Sequence, residues 1–414
     1  MTPLSDAVGW SYPPADFLAL LATPAQRERI ELAGKSRGLT AAAAMEEAQV
    51  LARGIAADFS FPAARAGDRF LSWLFGRMFD GIEVRGIETV RAAATDASLI
   101  YLPCHRSHLD YLLLSHVIYH GGLTPPHIAA GDNMNMPLLG RLLRKGGGFF
   151  MRRSFKGDAL YATVFAAYLQ GLLTRGLPIE FFIEGGRSRT GATLEPKTGL
   201  LGMIVEAWAR APERPLMLLP VYLGYEKLPE ARGFLDELAG RPKRKESLGD
   251  VLAAARLVCA NFGRPAVSFG QPLPLGAWLD ARLPEWRVRG VTDYAALRPA
   301  VQSLATEIAS RIDAAAVVNA VNLVAVALLE EPMASAPRGV LVARISALRS
   351  VLHATRVRTL SSDACIDRAL ALGFVAADGD TIRAVGDKAA ELAYFRNNVQ
   401  HLFSQSGETW TRSG

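Results

Sequence analysis

Tyr101-Leu-Pro-Cys-His-Arg-Ser-His-Leu-Asp-Tyr-Leu-Leu-Leu-Ser115 joins an apolar strand to an apolar helix through a polar turn, and it sets His105 five residues ahead of Asp110. A histidine at such an edge takes a proton from a hydroxyl, and a carboxylate on its other ring nitrogen fixes the tautomer and steadies the imidazolium that forms. Five residues along one continuous helix would turn the two side chains roughly 140° apart. His105 is therefore expected in the turn and Asp110 in the first helical turn, where the two converge. The same residues also fit a capping arrangement, with Ser107 as N-cap and Asp110 at the third helical position near the positive end of the helix.

Two further polar clusters follow short apolar strands: Gly146-Gly-Gly-Phe-Phe-Met-Arg-Arg-Ser-Phe155 and Ile179-Glu-Phe-Phe-Ile-Glu-Gly-Gly-Arg-Ser-Arg-Thr-Gly191. Strands are expected at 98–102, 127–130, 149–152, 179–183, 216–223 and 266–269, alternating with helices, which implies an α/β fold with a mostly parallel twisted sheet flanked by helices. Parallel strands deliver their carboxyl ends to one rim, where ligands bind. Arg152, Arg153, Arg187 and Arg189 would then surround His105 with guanidinium forks suited to a phosphate or carboxylate, and Gly185 and Gly186 let backbone N–H groups approach the same anion. Taken singly, each of these arginines also reads as a solvated loop charge. Before the sheet, residues 1–80 read as helical, with Pro13-Pro14 and Pro62 as breaks and a helix over 40–57. The α/β part runs over 81–276, and 277–414 form a helical lobe. Within that lobe, 361–385 read as two helices followed by a hairpin turning at Asp378-Gly379, a pattern that a winged DNA-binding element shares but with few basic residues.

The order of His105-Arg-Ser-His-Leu-Asp110, Phe149-Phe-Met-Arg-Arg-Ser-Phe155, Phe182-Ile-Glu-Gly-Gly-Arg-Ser-Arg-Thr-Gly191 and Leu219-Pro-Val-Tyr-Leu-Gly-Tyr-Glu226 resembles the four blocks of the bacterial membrane-associated glycerol-3-phosphate 1-O-acyltransferases. The resemblance continues through Phe70-Leu-Ser-Trp-Leu-Phe75, Ile128-Ala-Ala-Gly131, Glu195-Pro-Lys-Thr-Gly199, Val318-Asn-Ala-Val-Asn-Leu323 and Tyr394-Phe-Arg-Asn-Asn398, so it covers roughly residues 65 to 402. It implies His105 and Asp110 as the catalytic pair, and Arg153, Glu184, Gly185, Arg187, Ser188 and Pro220 as glycerol 3-phosphate contacts. His105 would deprotonate the sn-1 hydroxyl while the arginines hold the phosphate, and the oxygen would attack the thioester of acyl-CoA or acyl-carrier protein to give lysophosphatidic acid. No metal or cofactor is required beyond that acyl donor. Backbone N–H groups at the start of the helix after Ser107 are the candidate oxyanion donors. Dihydroxyacetone phosphate or lysophosphatidic acid as acceptor would use the same pair, although Glu184-Gly-Gly-Arg187 differs from the Pro-Glu-Gly-Thr-Arg form that the lysophosphatidic acid enzymes carry. A catalytically silent lipid- or carrier-binding protein would keep the fold, and the intact pair weighs against it. Family members often carry a longer amino-terminal region and further apolar sequence after the Arg-Asn-Asn segment, whereas 404–414 is a polar tail unlike the family.

Composition excludes a disordered or fibrous chain: of 414 residues, 50% are hydrophobic and 21% charged. The net charge of +6 suits anionic lipid, an acidic carrier protein or coenzyme A phosphates, and the chain has no nucleic-acid motif. Cysteines at 104, 259 and 365 lack metal spacing and fit a reducing compartment, with Cys104 expected as a small buried hydrophobe rather than a nucleophile. His116 and His120 have a zinc-ligand spacing, but with no acidic residue between them an ordinary helix face is expected. The start lacks the pattern of a secretory signal. The apolar run 314–329 is short for a membrane span and carries Asn319 and Asn322, so a buried helix is expected. The stretch from Asp68 to Phe79 fits either a lipid-interface helix or an aromatic helix packed on the core. The basic run 241–245 would draw anionic lipid or an acidic carrier, or serve as a solvated loop. Together these features imply an anionic membrane surface as partner and a peripheral place on the cytoplasmic face of the bacterial inner membrane.

Overall fold

In the computed structural model, residues 12–155, 157–230, 260–289, 294–352, 360–386 and 388–404 are described. The basic run 241–245, Cys259 and the tail after Ser404 lie outside them. The chain starts with α1 (Pro14–Leu21), α2 (Pro24–Lys35), α3 (Ala41–Ile55) and α4 (Phe61–Met78). Pro14, Pro24 and Pro62 stand in the first turns of α1, α2 and α4, so the prolines read as breaks are helix starts. A first-turn N–H has no partner inside its helix, and losing it there costs little. Thr40 caps α3 by accepting from the Ala43 N–H at 3.2 Å, and Ala44, Ala48 and Ala52 form a buried stripe at four-residue spacing.

The central layer alternates as expected: β1 (Glu83–Arg85), α5 (Ile87–Ala94), β2 (Ser98–Pro103), α6 (Asp110–His120), β3 (His127–Gly131), α7 (Leu139–Lys145), β4 (Gly148–Met151), α8 (Ala159–Thr174), β5 (Ile179–Glu180), α9 (Thr198–Arg210), β6 (Leu216–Gly224), β7 (Ala266–Phe269) and β8 (Leu273–Pro274). The strands form one eight-stranded sheet in the order β1-β7-β6-β2-β5-β3-β4, with β8 also on β6. All pairings are parallel except those of β7 and β8 with β6. β2 and β7 are buried along their whole length, as strands covered on both faces are. The edge strand β1 lacks a run long enough to be read from sequence. The expected strand at 179–183 ends at Glu180, because the residues beyond it leave the sheet to build the rim loop. The chain runs outward from β2 to β3 and β4, returns to β5 beside β2, and crosses to β6 on the other side. In sheets of this kind such a reversal marks the carboxyl ends of the central strands, here β2 and β5, as the place where ligands bind.

The carboxyl-terminal part contains α10 (Leu275–Arg282), α11 (Trp286–Arg289), α12 (Tyr294–Ala314), α13 (Ala320–Leu328), β9 (Ser335–Pro337), α14 (Arg338–Val351), α15 (Ser362–Ala371), β10 (Val375–Asp378), β11 (Thr381–Ala384), α16 (Lys388–Asn397) and α17 (His401–Ser404). The hairpin β10–β11 forms at the expected turn, and β9 adds a third antiparallel strand. Every residue of α13 is buried. Asn319 is the N-cap and Asn322 reciprocates, each side chain accepting the other's backbone N–H at 3.0 Å. Their amide groups then donate outward, Asn319 to the Tyr225 carbonyl at 3.0 Å and Asn322 to the Phe395 carbonyl at 2.8 Å. No described helix is long and apolar enough to cross a membrane.

Asn322→Ala removes the reciprocal cap and leaves the buried Phe395 carbonyl without that donor. It is expected to lower unfolding stability by about 2–3 kcal/mol in urea titrations.

Candidate active site

Asp110, fully buried at the first position of α6, collects four donors. Its Oδ2 accepts from His105 Nδ1 at 2.9 Å and from the backbone N–H groups of Arg106 at 2.6 Å and Ser107 at 2.9 Å, while Oδ1 accepts from the Tyr225 hydroxyl at 2.6 Å. The capping alternative does not describe α6. The Ser107 hydroxyl accepts from the Leu109 N–H at 3.0 Å, and the Asp110 carboxylate points back at the turn that carries His105. With Nδ1–H donated to Asp110, the imidazole keeps its lone pair on Nε2. The ring stacks on Phe182 with centroids 3.8 Å apart and planes 15° from parallel, which fixes its orientation. Glu180, the last residue of β5, is also fully buried, and burial followed by the charge of Asp110 pushes its pKa well above the ordinary range. Burial and the neighbouring carboxylate both disfavour its charged form.

The loop after β5 is bracketed to the His105 turn. Glu184 Oε1 accepts the His105 N–H at 2.9 Å and Oε2 the Leu194 N–H at 2.8 Å. Burial raises the Glu184 pKa, and the nearby Arg106 guanidinium and these two N–H groups oppose the rise. Ser188 donates its N–H to the His105 carbonyl at 2.9 Å and its hydroxyl to the Ala192 carbonyl at 2.6 Å. Arg106, 1% exposed, donates to the Gly191 carbonyl, and its Nε and second terminal nitrogen have no protein partner among the described residues. Gly191 takes a φ of +90°, and a Cβ there would sit 2.1 Å from the Tyr394 carbonyl oxygen. The side-chain amides of Asn397 and Asn398 reach the Thr190 and Gly191 carbonyls at 2.9 and 3.1 Å, and Thr193 donates to Asp313 at 2.5 Å. Helices of the carboxyl-terminal lobe therefore hold the loop's far side.

The sequence-derived candidates separate by position. His105, Asp110, Glu184 and Ser188 are brought into one hydrogen-bonded unit, with Gly185 at φ +66° and Arg187 on the same loop. Both Glu184 oxygens and the Ser188 hydroxyl are engaged within the protein. Arg152 and Arg153 follow β4, which lies three strands from β2, about 14 Å at ordinary strand spacing. Arg152 pairs with Asp158 at 2.7 Å and lies over the Tyr161 ring at 4.4 Å. Pro220 is buried inside β6 in register with Leu102, and its carbonyl accepts from Gly270 at 2.8 Å. Cys104 is buried, and burial pushes its thiol pKa up to about 12, so it is the inert small residue expected. The N–H groups after Ser107, expected as oxyanion donors, are committed: that of His108 goes to Glu230 Oε1 at 2.8 Å and that of Leu109 to the Ser107 hydroxyl. Arg106, Phe182 and Tyr225 were not foreseen, although all three stand inside the quoted blocks.

A family model described as the glycerol-3-phosphate acyltransferase C-terminal region matches residues 234–407, and one described as acyltransferase matches 81–224. The glycerol-3-phosphate acyltransferase of Xanthomonas campestris pv. campestris is 41% identical over 94% of this chain and 45% of its own length. That of Pseudomonas fluorescens is 39% identical over 93% of this chain and 47% of its own. The chain spans a little under half the length of these curated relatives. The crystal structure of the 1-acyl-sn-glycerophosphate (LPA) acyltransferase from Thermotoga maritima aligns at 19% identity and a TM-score of 0.34, over 61% of this chain and 79% of that one, too distant a likeness to carry weight.

Tyr225→Phe strips one donor from a buried carboxylate while keeping the ring. It is expected to cost about 1–3 kcal/mol in urea unfolding, with no change in far-ultraviolet circular dichroism.

Proposed function

The chain belongs to the glycerolipid acyltransferase family, and from that premise we propose that it moves a fatty acyl group from an acyl thioester to the sn-1 hydroxyl of glycerol 3-phosphate, giving lysophosphatidic acid. The observation that carries this reading is the His105–Asp110 pair, at 2.9 Å, stacked on Phe182 at the sheet rim. His105 Nε2 takes the hydroxyl proton as the oxygen attacks the thioester carbonyl carbon. The C–S bond then breaks, and the thiol of coenzyme A or of a carrier protein leaves with that proton. Asp110 steadies the imidazolium in between. Arg153 and Arg187 supply charge for the phosphate, with Arg152 contributing from its ion pair with Asp158. Glu184, Gly185 and Ser188 act by shaping the loop that meets the acceptor, and Pro220 by setting the strand beneath it. No cofactor enters this scheme.

Peripheral attachment to the cytoplasmic face of the bacterial inner membrane belongs to the same proposal. On α4, Phe75 and Met78 are buried while Phe70 and Trp73 are 56% and 52% exposed, so the helix serves the core on one face and offers aromatics on the other. Leu138 and Leu142, beside and on α7, are exposed as well, and the net charge of +6 favours anionic lipid.

Purified protein is expected to release thiol from palmitoyl-CoA, or from palmitoyl-carrier protein, only when glycerol 3-phosphate is present, and His105→Ala to cut turnover by about 10²–10⁴-fold. Release that depends instead on dihydroxyacetone phosphate or lysophosphatidic acid would reassign the acceptor, and no release with either donor, lipid included, would favour a silent binding protein. The double variant Phe70→Ser, Trp73→Ser is expected to reduce co-sedimentation with phosphatidylglycerol–phosphatidylethanolamine vesicles about tenfold. Unchanged sedimentation would remove α4 from the membrane contact.

A further inference from the structure

The carboxylate that the sequence lacks between His116 and His120 arrives from α4. Asp68 Oδ1 lies 2.7 Å from His116 Nδ1, and Asp68 Oδ2 lies 3.1 Å from His120 Nε2. Their four-residue spacing puts both imidazoles on one face of α6, with ring centroids 4.3 Å apart. One ligand atom from each of the three residues falls within 4.8 Å of the other two. Asp68 and His116 are 14% and 12% exposed and His120 is 54% exposed, so the cluster is walled on the protein side and open on the other. The Phe75 and His116 rings meet nearly at right angles, with centroids 5.4 Å apart.

We propose that Asp68, His116 and His120 form a site for a divalent transition-metal ion of the zinc class, with water completing the shell. Two imidazole nitrogens and one carboxylate oxygen suit borderline-soft Zn²⁺, whereas Mg²⁺ and Ca²⁺ take sets built from oxygen. The ion would replace two hydrogen bonds by coordinate bonds and clip α4 to α6. His116 stands six residues beyond Asp110, about 9 Å along the helix, so the site is separate from the His105 pair and does not depend on the proposed reaction.

The test uses the full chain without an affinity tag, stripped with chelator, and titrated calorimetrically with ZnCl₂ and spectroscopically with CoCl₂. One equivalent is expected to bind, with the visible bands of low-symmetry Co²⁺ and a Zn²⁺-dependent rise in melting temperature. His120→Ala, at a half-exposed position, and Asp68→Asn, which keeps a hydrogen-bond acceptor, are each expected to weaken binding at least tenfold while leaving the circular dichroism unchanged. Absence of saturable binding in the unaltered protein would overturn the proposal, leaving a hydrogen-bonded helix clamp. Binding unchanged in both variants would overturn it equally, by placing the ion elsewhere.

Discussion

A carboxylate without solvent must be surrounded by donors, and Asp110 draws four of them from two separate places in the chain, the turn 105–107 and Tyr225. An unpaired buried charge costs several kcal/mol, so the turn after β2, the first turn of α6 and the end of β6 are each constrained by the same two oxygen atoms. Adjacency of β2 and β6 in the sheet is what lets Tyr225 reach across. The Tyr225 carbonyl is held in turn by Asn319, which caps α13. A helix nearly a hundred residues further along thus determines where the tyrosine hydroxyl stands, and through it the angle at which Asp110 meets the imidazole.

A second buried charge is handled differently. Glu184 and Arg106 are both inside the protein and within range of each other, yet among the described residues neither is held by a direct ion pair. Glu184 spends its two oxygens on backbone N–H groups from either side of the rim. Its role is that of a bracket: it sets the spacing between the imidazole turn and the glycine-rich loop, while Arg106 supplies compensating positive charge. A glutamine has one amide oxygen, so it could keep only one of the two bonds and would carry no charge to offset the guanidinium; the two residues are coupled through electrostatics as well as shape.

Much of this was legible in the residues. Apolar runs of four to eight residues marked the strands because both faces of the sheet are covered, and the spacing of His105 and Asp110 marked their meeting because only a turn brings such a pair together. Parallel pairing then required the clusters to share a rim. What remained hidden was the lateral order of strands, which sets Arg152 and Arg153 at the end of a strand three places from β2 while leaving Glu184 and Ser188 beside His105. Arg106 looked like any loop arginine because its burial comes from Gly191 and the carboxyl-terminal lobe. Asp68 could not be paired with His116 and His120 because the two helices meet only in the tertiary structure. The shortening of β5 had no local signal, since Phe181-Phe-Ile183 is as strand-prone as what precedes it.

The clasp on Gly191 also bears on how the molecule is made. Asn397 and Asn398 close on a loop 207 residues earlier in the chain. On a ribosome the sheet can assemble while synthesis continues, yet this loop keeps open valences until α16 has left the exit tunnel. The turn that carries His105, tied to this loop through Ser188 and Glu184, therefore cannot take its final hold until a segment some two hundred residues later has emerged.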